Sequence, residues 1–203
     1  AFMLMNEIGN FKVIDELSSA TNKIAEGELM QLANKNNLNT SLQQLKKISY
    51  YKTGRLFEAS AKSAAMLSGK SIPFIENISK AARLIGIAFQ VRDDLLDYGV
   101  SKRNIGKPEM QDILEDKITY PLYFALKDSS KKDSSKILKK LKNKDFSIEE
   151  VADFVSSSNA FNKCNSLIQN YSNEISKCIN QISNKEIRDE MLNLSESLKN
   201  RYE

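Results

Sequence analysis

Apolar residues return at every third or fourth position along most of the chain, and no run alternates apolar and polar long enough to make a strand. Helices are the expectation throughout. Residues 1 to 8 read as the end of an apolar helix that stops near Gly9-Asn10. From Val13 to Asn34, positions Ile14, Leu17, Ala20, Ile24, Leu29 and Leu32 hold helical spacing around Gly27. That glycine costs a helix up to about 1 kcal/mol against Ala, so it implies a close helix contact or room for a ligand, contact being favoured. A polar stretch follows, and Thr40 or Ser41 suits the N-cap of a helix running to about Leu67. Pro73 fits the first turn of the next helix, which reaches Tyr98. Residues 99 to 112 are irregular, broken by Gly99, Gly106 and Pro108, before Ile118-Thr119-Tyr120-Pro121-Leu122 opens another helix. Ser147-Ile148-Glu149-Glu150 has the form of a capping box, Phe161 to Ile182 make one long seam, and Ile187 to Tyr202 close the chain. No internal repeat is visible. These elements predict an all-α protein in a single helical domain, residues 1–203.

With 203 residues, 41% of them hydrophobic, the chain can bury a sizeable core, and seven Gly and three Pro favour short loops. The net charge of +4 is local, because residues 127 to 147 carry eight Lys against three Asp. With only Phe146 near them, these lysines lack the arginines and interleaved aromatics of a nucleic-acid platform; they predict a solvated face or loop and no nucleic-acid partner. Ser68-Gly69-Lys70-Ser71 copies the tail of a P-loop, yet no Gly stands five positions ahead of Gly69 and no strand precedes it. Histidine is absent, which removes the usual general base and the commonest zinc ligand. Cys164 and Cys178 fall in one helical pattern about 21 Å apart, too far for a disulfide. Both read as small buried residues in a reducing compartment; with no membrane span and no signal-peptide layout, the expected location is cytoplasmic. The chain opens at Ala1 in mid-pattern without a cap, which reads as a cut.

Candidate chemistry gathers between Leu84 and Lys107. At 3.6 residues per turn, Gln90, Asp93 and Asp97 fall on one strip of the helix, with Asp94 beside them and Gly86 one turn before. Like charges so spaced repel by a few tenths of a kcal/mol per pair, and a cation would offset them. Oxygen ligands without thiol or imidazole point to a hard ion, and Mg²⁺ fits best because it is held by one or two carboxylates and completes its shell with water and substrate phosphates. A bare DDxxD is equally a solvated acidic stripe. Lys52 stands beside Thr53 and Gly54, small residues that leave space above its ammonium; alone, it reads as a surface lysine.

Four motifs in order are far more specific than any one of them. Gly27-Glu28-Leu29-Met30-Gln31, Lys52-Thr53-Gly54-Arg55-Leu56-Phe57-Glu58, Phe89-Gln90-Val91-Arg92-Asp93-Asp94-Leu95-Leu96-Asp97-Tyr98, and Gly106-Lys107 with Lys117-Ile118-Thr119-Tyr120-Pro121-Leu122 together resemble the trans-prenyltransferases, the polyprenyl diphosphate synthases, especially bacterial enzymes of the octaprenyl type. The resemblance extends over nearly the whole chain, down to Arg201. It implies an isoprenoid-synthase bundle around a central cavity that condenses isopentenyl diphosphate onto an allylic diphosphate with Mg²⁺. By the same resemblance Asp93, Asp94 and Asp97 match the second aspartate-rich motif, the first Asp on the metal and the others helping through water or hydrogen bonds. Lys52 and Lys107 match the lysines that grip the allylic diphosphate, and Lys117 a further basic residue at the mouth. Thr53 and Gln90 match residues around the developing allylic cation, which makes Lys52, Thr53 and Gln90 the catalytic candidates. The resemblance further implies that the departing diphosphate takes the proton, so that histidine is not needed, and that the protein is a homodimer.

Departures accompany the match. The family's first DDxxD, the arginine pair after it and the isopentenyl-binding residues lie ahead of the position Ala1 matches, so the chain is expected to be the C-terminal two-thirds of such a synthase, its N-terminal helices missing, and inactive alone. Met110, Gln111 and Asp116 stand where relatives often have Gly, Asp and Gly, and Gly54 replaces a common Ala. A non-catalytic helical subunit of a heteromeric prenyltransferase is the alternative. A terpene cyclase, which shares the fold, fits poorly, because Asp97 and Ser101 hold the places its metal motif needs.

Overall fold

The computed structural model describes residues 2–99 and 110–199, and every regular element among them is helical. Helix α1 (Phe2–Ile8) ends at Gly9, whose φ of +63° turns the chain into α2 (Phe11–Ala33). Asn10 caps α2 by accepting from Lys12 N and Val13 N. Helix α3 (Leu42–Ser49) opens on a full capping box, Ser41 Oγ taking Gln44 N while the Gln44 side chain takes Ser41 N. It does not run on to Leu67 as one α-helix: a π turn, Tyr50–Gly54, intervenes before α4 (Arg55–Leu67).

Helix α5 (Ile72–Asp97) is the 26-residue rod of the bundle, lying between α4 and α10 (Ala160–Ile179). Its sequence dictates that place, because apolar and small residues occupy most of its circumference: Ala81, Ile85, Ala88, Val91 and Leu95 are all at most 1% exposed. Ile175, Cys178 and Ile179 of α10 close against the alanines and Ile85, together with Leu198 of α11 (Lys185–Lys199). Each isoleucine so buried contributes about 1.5–3 kcal/mol. Both cysteines are free and buried along the seam that the sequence predicts.

Two buried charges tie the rods together. Glu16 of α2 is held by Arg55 and Lys62 of α4; burial pushes its carboxyl up, but the two cations outweigh that and hold it below the ordinary range. Arg92 of α5, 4% exposed, gives Nε to Leu198 O at 2.8 Å and Nη1 to Asn165 Oδ1 at 3.3 Å, linking α5 to α11 and α10.

The short α6 (Gln111–Leu114) and α7 (Tyr120–Asp128) follow the acidic end of α5. Next come α8 (Lys131–Asn143) and α9 (Ile148–Ser156). The lysine-rich segment is therefore helical: α8 buries Ile137 and Leu141 and turns Lys131, Lys132, Lys136, Lys139 and Lys142 to solvent. Only half of the capping box at Ser147 forms. Glu150 N donates to Ser147 Oγ, but the Glu150 carboxylate is drawn to Lys140 Nζ at 2.6 Å, a charge-assisted bond stronger than the return to a neutral amide. Among the described residues, no helix is long and apolar enough to cross a membrane.

Candidate active site

Three glycines set the geometry of the site. A Cβ on Gly27 of α2 would stand 2.6 Å from Lys52 N, and one on Gly86 of α5 would stand 2.7 Å from Gly54 Cα. The π turn is thus pressed between two helices at backbone contact, which answers the question Gly27 raised in favour of contact. Lys52 and Thr53 are carried on this turn, and single π turns are common at functional sites.

Lys52, Gln90, Asp94 and Lys117 line one cleft open to solvent, together with Gln31, Ser49 and Tyr120. Lys52 Nζ donates to Gln31 Oε1 at 2.6 Å and pairs with Glu28 at 3.2 Å. From Thr53 a hydrogen-bond chain crosses the cleft wall: Thr53 Oγ1 donates to Gln90 Oε1 at 2.9 Å, and Gln90 Nε2 donates to Asp94 Oδ1 at 2.9 Å. Tyr120 N donates to the other Asp94 oxygen at 3.2 Å, and the Tyr120 hydroxyl meets Ser49 Oγ at 3.1 Å. The Thr53 proton is committed to Gln90, so the lone pairs of Thr53 Oγ1 are left as acceptors.

The three aspartates of α5 do not act alike. Asp94 turns inward and is 5% exposed, whereas Asp93 stays half-buried on the flank of the helix. The carboxylate of Asp97 folds onto the start of α6, accepting from Gln111 N and Asp112 N, each at 3.0 Å. Burial pushes Asp94 well above the usual carboxylate range, with Asp112 adding to it, and burial likewise raises Asp97 and Asp112. Among the described residues no three thiol or carboxylate side chains are drawn close enough to hold an ion between them. The donor set is nevertheless all oxygen, and a cluster of carboxylates pushed toward their neutral forms is one that a hard cation relieves.

Lys117 is presented by the end of α6. Asp116 takes φ +62°, and Lys117 N bonds Asp112 O while Asp116 N bonds Ile113 O, a Schellman closure. Its ammonium lies 2.9 Å from Glu115 and 3.3 Å from Asp112. Burial alone would lower the Lys117 pKa, but the two acids outweigh it and raise it. Met110 also has positive φ, +61°. Two of the positions where the resemblance expects glycine are thus left-handed backbone that this chain fills with Met and Asp.

Sequence reasoning missed Gln31, Asp112 and Glu115. Gln31 lies four residues after Gly27, on the face that meets the π turn, and that spacing was its signal. Lys107, Gly106 and Arg201 lie outside the described residues.

An all-helical bundle that brings Lys52, Lys117 and the buried Asp94 to one cleft has the fold of the isoprenoid-synthase class. The chain belongs to the polyprenyl synthetase family, whose model matches residues 1–158. The chain is 39% identical over 126 residues to the octaprenyl diphosphate synthase of Escherichia coli (strain K12), a match covering 62% of this chain and 39% of that protein. It is 33% identical over 165 residues to the all-trans-nonaprenyl-diphosphate synthase (geranyl-diphosphate specific) of Rhodobacter capsulatus, covering 81% of this chain and 50% of that one. The polyprenyl synthase from Caulobacter crescentus CB15, solved complexed with calcium and isoprenyl diphosphate, superposes with a TM-score of 0.91 at 26% identity over 100% of this chain and 62% of its own. The chain therefore spans about two fifths to three fifths of the length of these relatives.

Proposed function

We propose that this protein serves prenyl transfer: ionisation of an allylic diphosphate and attack by isopentenyl diphosphate, with Mg²⁺ as the metal and a homodimer as the working state in the cytoplasm. One observation carries the reading, the convergence of Lys52, Gln90, Asp94 and Lys117 on a single cleft from three separate stretches of sequence. In this reading Lys52 and Lys117, with Lys107, bind the oxygens of the departing diphosphate, since ammonium groups aimed at developing negative charge are worth most in a sheltered site. The Thr53 hydroxyl, its proton committed to Gln90, offers its lone pairs to the carbon that becomes positive, and Gln90 Oε1 has a second lone pair to add. Asp94 anchors that amide from behind. Asp93, with Asp94 and Asp97 behind it, would hold Mg²⁺, which when bound neutralises diphosphate charge. No side chain need accept the final proton, because the released diphosphate is itself a base.

A dimer is supported by an apolar strip along the first two helices. Phe11 and Leu29, 84% and 66% exposed, stand eighteen residues or five whole turns apart on α2, with Leu4 and Ile8 of α1 also exposed.

The 203 residues carry one aspartate-rich motif, and one carboxylate cluster cannot clamp a diphosphate from both sides; we infer that this chain alone does not turn over. Incubated with Mg²⁺, an allylic diphosphate and isopentenyl diphosphate, it should form no prenyl product yet bind pyrophosphate in a metal-dependent way. Turnover at the rate of a full-length relative overturns the inactivity, and absence of binding overturns the site.

A further inference from the structure

Both cleft lysines are held in the same manner, by one sheltered partner and one carboxylate half in water. Lys52 has Gln31 at 2.6 Å within the cleft and Glu28, 49% exposed, at 3.2 Å. Lys117 has the Asp112 carboxylate, 20% exposed, at 3.3 Å and Glu115, 50% exposed, at 2.9 Å. The sheltered partner fixes where the ammonium points. The exposed one is free to leave, because water can solvate it as soon as it lets go.

Glu115 is the more telling of the two. It sits at the C-terminal turn of α6, and the hydrogen bond from Lys117 holds its carboxyl below the ordinary range, with Lys35 and Lys52 adding through space. A carboxylate thus occupies the ammonium of a cleft-lining lysine, the place a phosphate oxygen would take there. We propose that Glu115 is a resident competitor for the diphosphate: it occupies Lys117 while the cleft is empty, yields it when the anion arrives, and reclaims it when pyrophosphate leaves. This rests on the reading that the cleft binds diphosphate. Its consequence is a deliberately weakened grip, so that the leaving group is released instead of retained. The balance is simple, since the anion gains Lys117 only by displacing a carboxylate already there, whereas Asp112 stays in place and keeps the lysine aimed.

Titration calorimetry with inorganic pyrophosphate and Mg²⁺ tests it on the wild-type chain, Glu115→Gln, Lys117→Met and the double variant. Glu115→Gln should bind about threefold more tightly, the size of one half-exposed ion pair. The double variant should bind like Lys117→Met, because the competitor has nothing left to compete for. Equal or weaker binding by Glu115→Gln overturns the proposal, and so does the same gain appearing in the Lys117→Met background, which would mean a general field effect. If Lys117→Met binds as well as wild type, or neither binds, the diphosphate reading of the cleft fails and this proposal with it. If Lys117→Met weakens binding but Glu115→Gln does not tighten it, only the proposal fails.

Discussion

Asp94 concentrates the electrostatics of this molecule in one side chain. Its carboxyl is raised well above the usual range by burial, so across the window from the ordinary aspartate value of about 4 up to its native value the folded state holds a proton that the unfolded state has lost. Stability contributed there is full below about pH 4 and falls as pH rises through the window. Asp94→Asn removes that slope at little cost in hydrogen bonds, because the new amide donates to Gln90 once the Gln90 amide rotates, and Tyr120 N keeps its acceptor. Urea midpoints measured from pH 4 to 8 should fall less for Asp94→Asn than for wild type; parallel slopes would clear Asp94 as the source. At this scale spatial grouping was legible where motif and chemistry agreed: Lys52, Gln90 and Lys117 line one cleft, and Thr53 bonds Gln90. Gln31 and Asp112 were not, because each acts through a partner 21 or five residues away that only folding brings to it. The mixed duties of the aspartates were also hidden: helical spacing sets Asp93, Asp94 and Asp97 in order but does not say that Asp97 spends its oxygens on α6.

The π turn is the element on which the site depends. Helical spacing recovered α2, α5 and α10 to within a few residues, since long apolar stripes are hard to mistake. It gave no warning of Tyr50–Gly54, because a shift from four-residue to five-residue bonding leaves the residue types unchanged and is stabilised by neighbours, chiefly at Gly27 and Gly86. Gly86→Ala separates the two influences. Helix propensity favours alanine by about 1 kcal/mol, but the new methyl meets the Gly54 backbone at 2.7 Å, and overpacking costs about 1–3 kcal/mol. A backbone atom cannot step aside as a side-chain end can, so the clash wins. Thermal melts should place Gly86→Ala below wild type, whereas a variant as stable as or more stable than wild type would show that the crossing has room to open.

The whole bundle keeps its best-buried surface around α5 and leaves an apolar strip on the outside of α2. Leu29 and Leu32, 66% and 56% exposed, contribute little to the core, so replacing both with Glu should leave the circular dichroism spectrum unchanged. If that strip joins two copies, sedimentation velocity will find a dimer for the wild-type chain and a monomer for Leu29→Glu/Leu32→Glu. A wild-type monomer at tens of micromolar would refute the dimer. All-helical architecture was legible at this scale from period alone, and the lysine-rich segment was the exception, since α8 shows only two buried residues, Ile137 and Leu141, to betray its inner face.

Arg92 links these scales in time. Two of the groups its guanidinium holds, Asn165 and Leu198, lie 73 and 106 residues further along the chain. During synthesis on the ribosome the central rod is therefore made long before those partners emerge. The α5–α11 tie therefore closes only after α11 has been extruded, and a chain stopped ahead of Leu198 would release a bundle whose Arg92 Nε lacks its carbonyl acceptor.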